Sequence, residues 1–300
     1  MPAKLVICVM VSFNCKLKDL KRSIDSVIHN NVQLVLVDNG SNNQLEVAKL
    51  VSYFKQIELI ALEKNMGIAT AQNKGIELAI KNNANYIWLS DQDTIYPNNF
   101  KQRMLSLLAA MDYHQLQNLA VLGPSLFDNT LKSVYPIFKF QPYTMKSSPK
   151  PGLNASTHII ASGMFIPSKI FKKVGLKRDD LFIDWVDTEW CWRAVYQYGL
   201  DVWVTGDIQI DHSLGDEYES FFRKKVTLRT PFRHYFMIRN AIFLAIYSKN
   251  LPLIPRVEIV LKTTIRTILF PLIVPTKKMQ HLKATTLGFY HGLIGRLGSK

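Results

Sequence analysis

The chain has 300 residues, of which 48% are hydrophobic and 20% charged, a composition that allows a sizeable globular core and excludes a disordered, collagenous or disulfide-framework protein. Cys8, Cys15 and Cys191 are odd in number and lack the paired spacing of a zinc site, which points to a reducing cytosol. The formal charge of +14 is unevenly placed: residues 1–220 hold 22 Lys+Arg and 22 acids, whereas residues 221–300 hold 15 of the 37 cations and one of the 23 acids, Glu258.

The start, MPAKLVICVMVSFN, sets one Lys before a short apolar run with no small-residue cleavage site behind it, so it reads as a first strand and not as a signal peptide. Four apolar runs follow one another, LVICVMV, VQLVLVD, QIELIAL and YIWLS, and segments of helical period such as LKDLKRSIDSVIHN and IATAQNKGIELAIKNN lie between them. This repeated β-α-β order predicts an α/β fold with a mostly parallel, Rossmann-like central sheet, helices on both faces and ligands beyond the carboxyl ends of the strands. Polar clusters fall just behind each run: SFN at Ser12 to Asn14, DNGS at Asp38 to Ser41, EKNMGIA at Glu63 to Ala69, and DQD at Asp91 to Asp93. Each alone has an ordinary reading, since Asn and Gly favour tight turns and an acidic pair often marks a solvated one. Their joint placement at one rim is what suggests a nucleotide site. No GxGxxG or phosphate-binding GxxxxGK[ST] follows the first strand, which argues against a usual dinucleotide or NTP fold.

The DQD cluster has a specific chemical use. A diphosphate is repelled by carboxylates unless a hard divalent cation, Mg²⁺ or Mn²⁺, lies between them. Two acids with one spacer on an extended segment point to the same side, so one can bind metal while the other holds ribose or a metal-bound water. Such a cation offsets the charge that grows on a diphosphate leaving group.

Farther along, FIDWVDTEWCWR places Asp184, Asp187 and Glu189 within six positions, with helical character from Asp187 and Gly199 as a stop. Glu189 and Arg193 are spaced for a helix-surface ion pair. Asp187 sits where a helix would begin, so it is either an N-cap or a carboxylate free for chemistry. His212, behind the alternating run IQID, is either a half-buried structural histidine or a ligand. The last 55 residues mix cations with apolar clusters, as in LIPRVEIVLKTTIRTILFPLIVPTKK, without an uncharged run of the ~18 residues a bilayer span needs. A basic and apolar extension favours the surface of an anionic membrane. No helix-turn-helix, zinc-finger or RNA-binding aromatic signature accompanies the charge, so nucleic acid is not expected as a partner.

Taken together, SFN, VDNGS, NMGIATAQNKGI, WLSDQD, ASGMFIPSKIFKKVG, LFIDWVDTEWCWRA and HSLGD resemble glycosyltransferase family 2 enzymes of GT-A fold, and within them bacterial rhamnosyltransferases, over about residues 4 to 245. The resemblance implies that Asp91 and Asp93 form the DxD-like motif, with Gln92 between them in the rhamnosyltransferase-like form. It implies nucleotide-sugar contacts from Ser12, Asn14, Asp38, Asn39, Asn65, Gly67, Asp91 and Gln92, and metal contacts from Asp93 and His212. It places the general base at Asp187, with Asp184 as the other contender, because Val186 stands where the commonest form of the motif has an acid. Gly163 and Trp185 would shape the sugar and acceptor pocket, and Trp190 would fill the core.

These readings predict a GT-A domain at residues 1–245 and a helical, basic and apolar C-terminal extension at 246–300. They predict an inverting, Mg²⁺- or Mn²⁺-dependent transferase that moves L-rhamnose from its dTDP-activated form to a growing, lipid-linked glycan. It would work at the cytoplasmic membrane face. A transferase for another UDP- or GDP-hexose is the neighbouring reading, and a catalytically silent nucleotide-sugar-binding subunit is the reading from a different class.

Overall fold

The computed structural model describes residues 4–129, 132–140, 143–211, 217–221, 224–248, 251–273 and 277–299. The first ninety residues build three β-α units and a fourth strand: β1 Val6–Ser12, α1 Leu17–Ile28, β2 Gln33–Asp38, α2 Gln44–Val51, β3 Ile57–Ala61, α3 Ile68–Lys81 and β4 Tyr86–Asp91. All four strands match the apolar runs of the sequence to within a residue or two. Along β1, Ile7, Val9 and Val11 enter one apolar cluster while Val6, Cys8 and Met10 enter the other, every one of them buried. A strand covered on both faces gains from an unbroken apolar run, because alternate side chains serve two layers.

The chain continues through α4 Phe100–Ala110, α5 Tyr113–Asn118, β5 Leu119–Asp128, β6 Ser133–Val134, β7 Ile137–Phe140, β8 Thr144–Ser147, β9 Leu153–Ser156, β10 Met164–Pro167, α6 Ile170–Val174, α7 Val186–Trp192, β11 Asp201–Asp211, β12 Glu217–Phe221 and β13 Lys224–Leu228. It closes with three helices, α8 Pro231–Tyr247, α9 Leu253–Ile273 and α10 Lys278–Leu293. The main sheet runs β3-β2-β1-β4-β10-β5-β11-β9. β1, β2, β3 and β4 pair in parallel, as do β5 and β11, while β10 runs antiparallel between β4 and β5 and β9 antiparallel at the edge. The sheet is therefore mostly parallel in direction with helices against it, as predicted. The antiparallel β10 carries the chain back from the carboxyl ends of β4 and β5, which brings the loop before it, Ala161 to Gly163, to the rim where the polar clusters lie.

The last three helices pack on one another and also reach the loop before α7. The buried side chains of Arg239 and Asn240 on α8 donate to the carbonyls of Leu181, Ile183 and Asp184, at 2.9 to 3.0 Å. Gly298, beyond α10, donates its N–H to Asp180 O at 2.8 Å. Gly288 and Gly292 let α10 lie close against α8, since a Cβ at either would stand 2.5 or 2.6 Å from the α8 backbone.

Candidate active site

The ends of β1, β2 and β4 are tied into one rim. Ser12 Oγ donates to Asp38 Oδ2 at 3.1 Å, and Asp38 also accepts from Ser41 N, Ser41 Oγ and Gln44 Nε2. Asp38 is fully buried, so its carboxylate is spent on fixing the turn after β2. Asn14, at φ 47°, accepts on its side-chain oxygen from Asn42 N and donates its own N–H to Ser41 Oγ, both at 2.8 Å. Gln92 crosses from β4 to β1, accepting from Phe13 N at 2.8 Å. Asn39 Nδ2 donates to Asn65 Oδ1 at 3.1 Å, and Asn39 Oδ1 accepts from Met66 N at 2.9 Å. Gly67 has φ 85°, and a Cβ there would stand 2.6 Å from Phe182 O. Only glycine fits this close approach, which sets the start of α3 against the loop before α7.

Asp91 and Asp93 stand at the end of β4, the first half-buried and the second exposed. Ser162 Oγ donates to Asp91 Oδ2, while the neighbouring Ala161 N donates to Asp187 Oδ2 at 3.1 Å. Two successive residues of one loop thus hold the two carboxylates on which the sequence reading rests. Gly163, at φ 85°, turns this loop into β10 and donates to Leu89 O at 2.9 Å, and a Cβ there would meet Pro124 at 2.7 Å.

Asp187 lies inside the first turn of α7, and Trp185 occupies the N-cap position, so the N-cap reading of Asp187 does not hold. Its other oxygen pairs with Lys177, whose side chain is fully buried while that of Asp187 is 22% exposed. Lys177 Nζ also donates to Gln72 Oε1 at 2.8 Å, and Asn73 fixes the lysine backbone from both sides. A buried ammonium satisfied in this way fixes the carboxylate it pairs with. Each oxygen of Asp187 keeps a further acceptor position, and the side chain is open in part to solvent.

Asp184 is differently placed. It accepts from Arg229 Nη1 at 2.8 Å and from Arg233 Nε at 3.2 Å. Phe182, Asp184 and Trp185 all have positive φ, a strain of about 1–3 kcal/mol each that the surroundings must offset. The bonds from Arg239 and Asn240 and these ion pairs do so. Trp185 donates its indole N–H to Met237 O at 3.0 Å and stacks at a tilt on Trp192. Trp190 is fully buried, and Glu189 and Arg193 form the expected ion pair, although Glu189 is buried and the pair does not lie on the helix surface as the spacing suggested. Burial raises the Glu189 carboxyl above its usual range, against the opposing pull of Arg193. Burial also pushes the Cys191 thiol up to about 12, which makes it a packing residue and not a nucleophile. His212 lies outside the described residues.

Among the described residues no group of three His, Cys, Asp or Glu converges as a complete protein cage for a metal. Two adjacent carboxylates, one of them exposed, instead fit a cation that takes its remaining oxygens from a bound diphosphate and water.

The chain matches the family described as glycosyl transferase family 2 over residues 7–174. This chain belongs to that family. Among curated proteins it is similar to the dTDP-rhamnosyl transferase RfbF of Shigella flexneri, with 31% identity over 98% of this chain and 97% of that protein. A shorter similarity, 26% over 35% of the chain and 40% of the other protein, relates it to the uncharacterized glycosyltransferase R363 of Acanthamoeba polyphaga mimivirus. Among solved structures, S. aureus TarS residues 1–349 in complex with UDP superposes with a TM-score of 0.57 at 12% identity, covering 97% of this chain and 82% of that one. GalNAc-T7 with UDP, GalNAc and Mn²⁺ gives 0.57 at 15% identity over 81% of this chain, which spans half of that longer protein. These likenesses establish a GT-A fold, and the family makes the protein a glycosyltransferase.

Several residues that hold this arrangement carried no signal in the sequence. Ser162 was inside a quoted motif but carried no role there. Lys177 stood in a basic stretch, KKVGLKRDD, with nothing to mark it from its neighbours. Arg229, Arg233, Arg239 and Asn240 are some fifty residues from the carbonyls and carboxylate they hold, and no local spacing signals such contacts.

Proposed function

We propose that this glycosyltransferase moves L-rhamnose from dTDP-L-rhamnose to a hydroxyl of a growing, lipid-linked cell-surface glycan, with inversion at the anomeric carbon. The observation that carries the reading is the similarity to a dTDP-rhamnosyl transferase over almost the full length of both chains. Residues 1–245 would form the GT-A domain and residues 246–300 the extension that meets the membrane.

The polar rim receives the donor. Ser12, Asn14, Asp38 and Asn39 shape the loops around base and ribose, Asn65 and Gly67 the approach to α3, and Gln92 locks β4 to β1. Asp93, with Asp91 two residues before it and, by the family resemblance, His212, would hold Mg²⁺ or Mn²⁺. When bound, that cation offsets the negative charge on the departing diphosphate.

Asp187 is the general base. An acceptor hydroxyl at its open side gives up a proton to the carboxylate as its oxygen bonds to the anomeric carbon, and the bond to the dTDP oxygen breaks on the opposite face. Such proton transfer is typically worth ~10²- to 10⁴-fold. Lys177 positions the base, and the two guanidinium groups on Asp184, against one ammonium on the more exposed Asp187, support Asp187 over Asp184 in the role. Gly163 and Trp185 border the acceptor side.

The extension supplies the membrane contact. Ile254, Val257, Leu261, Ile265, Ile268 and Leu269 are all between 41% and 60% exposed, and their spacing puts them on one stripe of α9. No helix among the described residues is long and apolar enough to cross a bilayer. An apolar stripe beside many cations fits the surface of an anionic bilayer, and the buried, unpaired state of Cys8, Cys15 and Cys191 fits the cytoplasm.

Incubation of the purified protein with dTDP-L-rhamnose, UDP-glucose or GDP-mannose and a lipid-linked glycan extract tests the reading. Rhamnose incorporation from the dTDP donor is expected, with the β or α configuration opposite to that of the donor. Transfer from UDP- or GDP-hexose alone would replace the donor assignment, and binding without turnover would favour a silent subunit.

A further inference from the structure

Lys177 and Asp187 begin and end one stretch of chain, and its middle is held from outside. Phe182, Asp184 and Trp185 lie there at φ 65°, 59° and 66°, conformations that residues other than glycine seldom keep without support. Arg239 on α8 supplies part of it: Nη2 donates to Asp180 O at 3.1 Å and to Leu181 O at 3.0 Å, and Nη1 donates to Gly298 O at 2.5 Å. Gly298 in turn donates its N–H to Asp180 O at 2.8 Å. The adjacent Leu297 packs on the apolar cluster that contains Leu181 and Val186. Three pieces of chain, α8, the segment after α10 and the stretch before α7, thus meet through main-chain carbonyls.

Arg239 is 1% exposed, and its guanidinium has carbonyl and amide oxygens as partners but no carboxylate among the described residues. A buried cation without a counter-ion is costly unless its donors are matched. Gly298 O is therefore part of what keeps Arg239 in place, and Arg239 part of what keeps Asp180 and Leu181 in place. We propose that Arg239, Leu297 and Gly298 are positioning residues for the transfer reaction: they hold the stretch between Lys177 and Asp187 so that the carboxylate stands within reach of the acceptor hydroxyl. This rests on the reading above that Asp187 is the base. The extension then acts on catalysis directly, and not through membrane contact alone. Gly298 has φ 91°, and a Cβ there would meet nothing within 4 Å. A side chain at this position clashes with no neighbour and disturbs only the backbone conformation that aims the Gly298 N–H and carbonyl.

The test uses the full chain as parent, Gly298→Val, Gly298→Asn, Arg239→Lys and Asp187→Asn. Rhamnose transfer from dTDP-L-rhamnose is followed with a lipid-linked glycan extract, once dispersed in detergent and once in phosphatidylglycerol vesicles, beside calorimetric dTDP affinity and urea midpoints. A small displacement of a reacting group from a distance can cost up to about 10²-fold, so kcat of Gly298→Val should fall by about 10- to 10²-fold in detergent and in vesicles alike. Its dTDP affinity and urea midpoint should stay near those of the parent. Gly298→Asn should keep more of kcat than Gly298→Val, because Asn enters positive φ more readily than a β-branched residue. Arg239→Lys, which keeps the charge without the fork, should repeat the loss of kcat; since it disturbs a buried group, the exposed segment at Gly298 carries the decision if that variant fails to fold. Parent kcat in Gly298→Val with Asp187→Asn inactive would overturn the positioning role and leave the base assignment standing. A loss confined to vesicles would assign the segment to membrane contact, and an equal loss of dTDP affinity would assign it to the donor; either overturns the proposal. Full activity of Asp187→Asn would sink the base reading itself, and this one with it.

Discussion

Replacing Asp187 with Asn tests two consequences of the same geometry. The amide cannot accept the acceptor proton, so turnover should fall by ~10²- to 10⁴-fold. The change also removes the counter-charge of Lys177, whose side chain is fully buried. Deleting one partner of a buried pair typically costs about 3–5 kcal/mol. Here Asn keeps an oxygen for Lys177, Gln72 still accepts from the ammonium at 2.8 Å, and Asp187 itself is part-exposed. The expected cost is therefore smaller, about 1–3 kcal/mol. Steady-state transfer at saturating donor, calorimetric dTDP affinity and urea denaturation separate these effects. The account predicts a collapse of kcat, a dTDP affinity within about threefold of the parent, and a lower urea midpoint. Transfer at the parent rate by a stably folded variant would refute the assignment of the base.

Lys177→Met removes the buried ammonium that bonds both Asp187 and Gln72, so kcat should fall while dTDP affinity stays near that of the parent, and an unchanged kcat would remove Lys177 from the positioning of the base. Gly67→Ala should cost at least about 1–2 kcal/mol, because the new methyl would meet Phe182 O in a left-handed backbone, and a denaturation curve that matches the parent would contradict the close approach. Acid should weaken the fold through His158, lowered to about 4 by burial and then by Lys146, and through His234, lowered to about 3 by burial first and His281 second. Unfolding lets these rings take up protons near their ordinary 6.5, so their contribution is complete above that pH and is lost as pH falls towards 4, by up to about 1.4 kcal/mol per unit for each ring. Urea midpoints between pH 7 and pH 5 should fall, and His158→Gln should flatten the slope. Ile265→Glu should weaken binding to phosphatidylglycerol vesicles while leaving dTDP affinity intact; unchanged vesicle binding would remove the stripe from the membrane account.

The β-α-β half was legible because period and burial agree there: runs buried on both faces must be apolar throughout, and helices between them must be apolar on one stripe. The rim was legible for a related reason, since a parallel sheet ends its strands on one side and Ser12, Asp38 and Asp91 each close an apolar run. What escaped was the second half of the site. β10 enters antiparallel between β4 and β5, a pairing that local pattern does not encode, and it is this pairing that brings Ser162 to Asp91 and Ala161 to Asp187. Lys177 resembles any surface lysine until Gln72 and Asp187 enclose it. The helical extension was expected; what carried no signal is that Arg239 and Asn240 on α8, ahead of that extension, hold the strained loop before Asp187. Positive φ at Phe182, Asp184 and Trp185 had no signal at all, because none of them is glycine and the strain is held by residues far away in the chain.

The central claim is that the rim between Ser12 and Asp93 binds a dTDP-sugar together with a divalent cation. The most direct measurement is thermal stability of the purified protein with dTDP, UDP and GDP, each with Mn²⁺, Mg²⁺ or EDTA, beside Asp93→Asn. Ligand at about 100 times its dissociation constant adds roughly 2.7 kcal/mol, a shift of several degrees for a chain of this size. The account predicts stabilisation by dTDP above the other nucleotides, dependent on the cation and lost in Asp93→Asn. Absence of any nucleotide shift, or a dTDP shift that EDTA and Asp93→Asn leave unchanged, would contradict it.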